Sequence, residues 1–349
     1  MTMIEAPARP AGAAGQVLAR TRAVFEPALR AAVHRLPTPI RRIAGYHLGW
    51  WDADERPVEV PDGTGKAIRP VLALLCGAAV GGDAADAIPA AVAVELVHNF
   101  SLLHDDIMDG DRTRRHRPAA WTVFGTAQAL LAGDSLLVAA MDTLASDRPE
   151  IAPRALHDLA AGMQDLCAGQ SADMRLASGP GATLDDCREV IAGKTASLLG
   201  CACSLGAMYG GGGAAQVRLL RMFGERLGHA FQLADDILGI WGDPRETGKP
   251  ALGDLARRKR SLPVVAALAS GTAAGRELSA AYEAGVEFSP AVLTHLAGLV
   301  ERTGARRLAA DLAARNLADA VACLDAAVLR PGPAADLRAI ADLVGARTG

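Results

Sequence analysis

Apolar residues recur at i, i+3 and i+4 spacing along nearly the whole chain, and alternating runs of β-branched residues are almost absent. That spacing follows the 3.6-residue period of a helix and not the period of two that a half-buried strand needs. The fold class is therefore expected to be all-α. Half of the 349 residues are hydrophobic and 21% are charged, enough to bury a large core. The pattern predicts a helix over about 16–42, then two strongly apolar helices in "VLALLCGAAVGG" and "AIPAAVAVELVHNFSLLHDDIMD". Further helices are expected over about 127–145, 153–178, 184–210, 214–241, 262–270, 275–284, 289–300, 303–327 and 334–346, with Gly, Pro or Asp at the joints. The stretch "GYHLGWWDADERPVEVPDGTGKAIRP" breaks the pattern and reads as a loop or linker. No segment looks like a separate domain, so residues 17–349 read as one. The Ala, Pro and Gly content of residues 1–16 suits a disordered tail.

A net charge of −3 supplies no general basic field for nucleic acid. No uninterrupted apolar run reaches the roughly 18 residues of a membrane span, and the leader lacks the basic and apolar regions of a signal peptide. Six scattered cysteines (76, 167, 187, 201, 203 and 323) form no CxxC pair and have no histidine partners at zinc spacing. They read as reduced thiols, which places the protein in a bacterial cytoplasm. The 36 basic residues include only four lysines, at 66, 194, 249 and 259, the remainder being arginine. Those four mark places where a compact ammonium suits better than a planar fork.

The segment "LLHDDIMDGDRTRRHRP", residues 102–118, sets Asp105, Asp106, Asp109 and Asp111 directly before Arg112, Arg114, Arg115 and Arg117. In a helix, Asp105 and Asp109 lie one turn apart on the same face, where like charges repel. A hard divalent cation between them, Mg²⁺ for example, removes the repulsion; a solvated helix end paired with arginine is the other reading. A second acidic helix end, with Asp235, Asp236 and Asp243 in "QLADDILGIWGD", favours the metal. Two such ends facing one cavity hold several Mg²⁺ ions, and a diphosphate is the natural ligand of that array. Cations that could ring it are Lys66 and Arg69 in "GTGKAIRP", Arg114 and Arg115, Lys194 beside Thr195 in "IAGKTASLL", Lys249 in "ETGKP" and Lys259 in "RRKR". Singly, each reads equally well as a surface or snorkelling cation; together, all four lysines sit in glycine-flanked, acid-flanked or apolar-helix settings. His98, two turns before Asp105, is either a donor to a second anion or a core histidine.

From about residue 60 to 265 these motifs resemble the trans-isoprenyl diphosphate synthases, also called polyprenyl synthetases. "DDIMD" is similar to the family's first aspartate-rich motif and "GDRTRR" to its paired arginines, while "GKAIRP", "ELVHNFSLLHDD", "GQSADM" and "KTASLL" resemble four further family motifs. The resemblance implies an isoprenoid-synthase-type helical bundle around a deep central cavity, assembled as a homodimer. It implies three Mg²⁺ ions held by Asp105, Asp109 and Asp235, with Asp106 and Asp236 in support. The implied catalytic set is Asp105, Asp109, Arg114, Lys194, Asp235 and Lys249. An allylic diphosphate would be held by Lys194, Thr195, Gln232, Lys249, Lys259 and Arg114, and isopentenyl diphosphate by Lys66, Arg69, His98 and Arg115.

Two positions depart from the family pattern. Gly239 stands where the second motif usually has its third aspartate, with Asp243 the nearest replacement, and Arg258 stands where glycine is common. The implied reaction lengthens an allylic diphosphate by five carbons. Ser101 lies one turn below Asp105 on its face, and Phe100, offset by about 100°, is expected in the wall or floor of the cavity. A small residue at 101 with an aromatic at 100 resembles archaeal-type geranylgeranyl diphosphate synthases, which implies a C20 product, with C15 farnesyl diphosphate as the alternative. A class I terpene cyclase should carry a different second metal motif, a non-catalytic partner subunit usually loses more aspartates, and an HD-type phosphohydrolase needs a second histidine pair. The leader also resembles those of prenyltransferases packaged as cargo in encapsulin shells.

Overall fold

The computed structural model describes residues 12–58, 67–178, 181–243, 251–284 and 287–347. Helices dominate. α1 (Ala13–His34), α2 (Thr38–His47) and α3 (Ile68–Val80) precede a 3₁₀ turn and α4 (Ile88–Met108). A two-stranded hairpin, β1 (Thr113–Arg114) and β2 (Arg117–Pro118), leads to α5 (Ala120–Phe124), α6 (Thr126–Ala145) and α7 (Ala152–Ser178). α8 (Leu184–Val190) runs through a π-helical turn, Ile191–Ala196, into α9 (Ser197–Tyr209), followed by α10 (Ala214–Trp241). α11 (Gly253–Ala256), α12 (Leu262–Leu268), α13 (Ala273–Glu283), α14 (Pro290–Arg302), α15 (Ala305–Ala326) and α16 (Pro331–Gly345) complete the described chain.

The centre of the bundle is α4, buried on nearly every face between α1, α3, α6 and α9. α9 is buried throughout, and its Gly206 lets it close on α3: a Cβ there would lie 2.0 Å from the carbonyl oxygen of Ala73. α10 shows the amphipathic pattern, burying Val217, Leu220, Phe223, Leu227, Ala230, Ala234, Ile237 and Ile240 at three- and four-residue intervals. Its length, about 42 Å at 1.5 Å per residue, carries the chain from the core to the acidic end of the helix.

Some expectations change. The first helix begins at Ala13, within the stretch read as tail, and residues 1–11, the bulk of the proposed shell-targeting leader, lie outside the described residues. That helix breaks at His34, and Thr38–His47 forms its own helix despite Gly45, whose bare backbone seats the Trp51 ring. Three helical stretches, Ala84–Met108, Thr126–Ala145 and Leu184–Tyr209, are long and apolar enough to cross a membrane, contrary to the count of uninterrupted runs. An average tolerates the isolated polar residues that end a run. Two of the three are core helices, 72% and 78% buried. α6 is 33% buried and exposes Leu130, Leu131, Val138 and Met141.

Candidate active site

A cavity of about 900 Å³ opens beside the last turn of α4 and is walled by α3, α7, the π turn, α10 and the segment 257–262. Asp105 and Asp109 enter it from α4, and Asp235 from α10. Asp109 caps the C-terminus of α4. Carboxylates there face the negative end of the helix dipole as well as one another. The π turn presents Lys194 and Thr195, at a place where the sequence pattern predicted unbroken helix. It approaches α7 through two glycines: a Cβ on Gly169 would lie 2.2 Å from the Lys194 nitrogen, and one on Gly193 would meet the backbone of Gly169. That contact brings Lys194 Nζ to 2.7 Å from Asp173 Oδ2 and 3.8 Å from Asp105 Oδ2.

One ammonium thus serves a cluster of carboxylates. Burial pushes the Asp105 carboxyl up to about 6; Lys194 opposes this and Asp109 adds to it. Asp109 is also raised, chiefly by burial, against the pull of Lys194. Burial disfavours the Lys194 charge, but Asp105 and Asp173 outweigh it and hold its pKa above the ordinary lysine value. Negative charge is therefore in excess along this wall, and a divalent cation would relieve it.

The neighbouring aspartates act as anchors: Asp106 lies outside the described lining of the cavity, and Asp236 borders it but is buried. Asp106 is buried and accepts from Arg114, whose Nε lies 2.8 Å from Oδ1. Asp236 is buried and accepts from Gln232 Nε2 at 3.0 Å, Lys259 Nζ at 3.3 Å and the Leu262 N–H at 3.2 Å. Gln232 in turn accepts from Thr195 Oγ1 at 2.7 Å. Asp106 and Asp236 thus support Arg114, Gln232 and Lys259: both Asp236 oxygens and Asp106 Oδ1 accept from protein partners, while Asp106 Oδ2 is buried without one. Lys259 also lies 3.6 Å from Asp254 Oδ2, and Asp236 and Asp254 keep it protonated against the cost of burial.

Deeper on the α3 side, Arg69 Nη1 donates to His98 Nε2 at 3.2 Å, which leaves the His98 proton on Nδ1. Burial, then the charge of Arg69, holds the His98 pKa well below its ordinary value, so the ring is neutral. Arg115 joins them from the turn of the β1–β2 hairpin, where Arg115 and His116 both take positive φ, 51° and 61°. Such a turn favours Asn and Gly; this one spends backbone strain to aim an arginine at the cavity. Glu95, one helical face below, lines the same cavity, and its buried Oε2 has no hydrogen-bond partner. Its charge offsets the burial that lowers the pKa values of Arg69 and Arg115.

The structure brings together Arg69, His98, Ser101, Asp105, Asp109, Arg114, Arg115, Lys194, Thr195, Gln232, Asp235, Asp236 and Lys259, with Asp106 buried behind Arg114 and outside the described lining. Lys66 and Lys249 lie outside the described residues. Phe100 is corrected: it is not among the described lining residues but turns to α6, its ring 4.7 Å from that of His104 and close to Gly133. Ser101 does line the cavity, its hydroxyl donating to the His98 carbonyl at 2.8 Å. Asp243 is exposed and outside the described lining. A side chain at Gly239 would run into the buried Asp254 carboxylate, 2.3 Å from its Cβ. Arg258 has φ 51°, the conformation that favours glycine there, and stacks its guanidinium 4.1 Å over Phe288. Sequence reasoning missed Asp173, although it stands in "GQSADM", and missed Glu95, Asp254 and Arg347.

Among the described residues no three acidic, histidine or cysteine side chains converge as a ready-made metal cage. Mg²⁺ takes one or two carboxylates and completes its shell with water and substrate phosphates. The excess of carboxylate around Lys194 and the all-oxygen donor set fit that ion.

Residues 58–295 match the polyprenyl synthetase family. The chain is 44% identical over 336 residues to the geranylgeranyl diphosphate synthase of Mycobacterium tuberculosis, covering 96% of this chain and 94% of that one. It is 41% identical over 332 residues to the (2E,6E)-farnesyl diphosphate synthase of Mycobacterium bovis, covering 94% and 92%. The crystal structure of a polyprenyl synthetase from Streptomyces coelicolor A3(2) superposes with a TM-score of 0.90 at 43% identity, covering 94% of this chain and 98% of that one. With its acidic helix ends, its lysine at the π turn and its two cation groups on one cavity, this chain belongs to the polyprenyl synthetase family.

Proposed function

We propose that this chain is a Mg²⁺-dependent prenyltransferase that joins isopentenyl diphosphate head-to-tail to an allylic diphosphate, with geranylgeranyl diphosphate as its main product. Three Mg²⁺ ions per site would be held by Asp105, Asp109 and Asp235. When bound, they neutralise the allylic diphosphate and make it a better leaving group. Lys194, Lys259 and Arg114 face the same space and orient that diphosphate; Thr195 and Gln232 hold their geometry, and Lys249 is assigned beside them on sequence alone. Arg69, His98 and Arg115, with Lys66, hold the second diphosphate on the α3 side.

The bond from C1 of the allylic chain to its diphosphate oxygen breaks, and the double bond of isopentenyl diphosphate attacks C1. A proton then leaves C2 of the former isopentenyl unit for the departing diphosphate. Leu102, Leu166, Leu199 and Phe231 line the same cavity and shield the cation from water. No side-chain nucleophile is needed.

The observation that carries the reading is the pairing, on one cavity, of a carboxylate-rich wall with a separate arginine and histidine pocket. A terpene cyclase has no use for the latter. The two mycobacterial relatives differ in product, so the alternative is farnesyl diphosphate. Incubation with Mg²⁺, isopentenyl diphosphate and C5, C10 or C15 allylic diphosphates, followed by sizing of the dephosphorylated products, tests both. Absence of any condensation sinks the activity, and a main product other than C20 sinks the chain length. We propose further that the exposed apolar face of α6 is covered by a second copy in a homodimer, which light scattering would reveal. The six unpaired cysteines suit the bacterial cytoplasm. Packaging in a shell stays a proposal resting on the leader's composition.

A further inference from the structure

We propose that Arg347 is a positioning residue for the second acidic helix end: it holds the Asp235 carboxylate in the cavity when no metal is bound, competes with a divalent cation for it, and yields it on loading. The proposal rests on the reading of this cavity as a Mg²⁺ and diphosphate site.

Arg347 follows α16, which docks through Leu337, Ile340, Ala341 and Val344 onto α1, α3, α10 and α15. Its Nη2 lies 2.7 Å from Asp235 Oδ1, and both side chains are about three-quarters covered. Its guanidinium stacks 4.9 Å over the ring of Phe231, one helical turn before Asp235 on α10. Ring and carboxylate, stacked on one helix face, fix it by two contacts of different kinds. Its Nη1 is buried without a hydrogen-bond partner, so the grip is single-ended.

Within the second acidic pair the cations are divided. Lys259 serves Asp236, while the described ion pair of Asp235 is with Arg347. A carboxylate oxygen bound to a guanidinium has to give it up before it enters the shell of a small divalent ion. Metal affinity at Asp235 is therefore set against this contact, and removing the guanidinium should tighten it.

The test is a titration of the full-length, metal-free protein with Mn²⁺, which takes the same oxygen ligands as Mg²⁺, with free Mn²⁺ read by electron paramagnetic resonance and no substrate present. The signal assigned to Asp235 is the difference between wild type and Asp235→Asn. Arg347→Gln should bind that ion about two- to fivefold tighter, the span of a partly exposed ion pair, and Arg347→Lys should return toward wild type. As a control, Arg338→Gln, which removes an outward-facing ion pair on α16, should change nothing. Wild-type or weaker Mn²⁺ affinity in Arg347→Gln overturns the proposal while leaving the metal site standing. If Asp235→Asn binds Mn²⁺ as well as wild type, the metal reading itself fails and this inference goes with it.

Discussion

Replacing Asp105 with Asn should stabilise the metal-free protein while destroying its activity. Asp105 lies on a buried wall with Asp109 and Asp173, and Lys194 is the cation the three share. A carboxyl displaced from 3.8 to about 6 costs its charged form up to about 3 kcal/mol in the folded state. Lys194 keeps its 2.7 Å contact with Asp173 in the variant, so little attraction is lost. Allowing for the coupling among these groups, a gain of about 1–3 kcal/mol is expected at neutral pH, or about 1–4 °C in Tm for a chain of this size. The sign depends on pH. Because the folded pKa lies above the unfolded one, the carboxyl is protonated in both states below about pH 4 and carries no penalty. The penalty grows between about pH 4 and pH 6 and is complete above the folded pKa, and the advantage of Asn follows it.

The assay is calorimetry in EDTA at intervals from pH 4 to pH 8, wild type against variant. The two curves should meet near pH 4 and separate by pH 7. An advantage that persists unchanged at pH 4 would trace to packing or hydrogen bonding and refute the reasoning, as would no advantage at pH 7. Turnover should fall by several orders of magnitude, and the rise in Tm that Mg²⁺ with a bisphosphonate gives the wild type by mass action should be lost.

Other outcomes follow from the same geometry. Lys194→Arg and Lys259→Arg should each lower kcat/KM by about tenfold or more despite retained charge, because a planar fork cannot replace a point donor between two carboxylates; full activity in steady-state kinetics would defeat this. Glu95→Gln should destabilise the unliganded protein by about 3 kcal/mol or less, read as a fall in Tm, as Arg69 and Arg115 lose their counter-charge. Inorganic diphosphate should then recover more Tm in the variant than in wild type, and equal recovery would count against Glu95 in that role. Ser101→Phe should shorten the product toward C15, since a chain meeting a ring there is overpacked by about 1–3 kcal/mol. Phe100→Ala should leave chain length unchanged, and gas chromatography of dephosphorylated products reads both.

The helical frame was legible where periodicity and punctuation agree. The boundaries expected for α10, 214 and 241, are those observed, because a strict apolar stripe is closed by Gly213 and Gly242. The single helix expected over 184–210 conceals the π turn, since one extra residue per turn over six residues shifts a pattern too little to see. Asp173 and Lys194 are 21 residues apart in sequence and meet only because Gly169 and Gly193 allow their backbones to touch. Arg347 lies 112 residues from Asp235, in a stretch, "GARTG", that carries no pattern. Phe100 failed for a simpler reason: an offset of 100° excludes one face but does not say which neighbour, cavity or α6, covers the next.

The doubled aspartates show the same rule at its most useful. In sequence, Asp105–Asp106 and Asp235–Asp236 look like two pairs of equivalent ligands. Consecutive helical residues diverge by about 100°, so when one of each pair points into the cavity the other is turned toward protein partners, although Asp236 still borders the cavity. Asp106 meets Arg114, and Asp236 meets Gln232, Lys259 and the Leu262 N–H. A buried carboxylate is tolerable only with such partners, and those partners include the cations that the cavity needs held in place. Each doublet is therefore one outward carboxylate and one inward anchor, and the anchor positions a cation beside the ligand. Arg347 extends that arrangement to Asp235 itself, the outward member of the second pair.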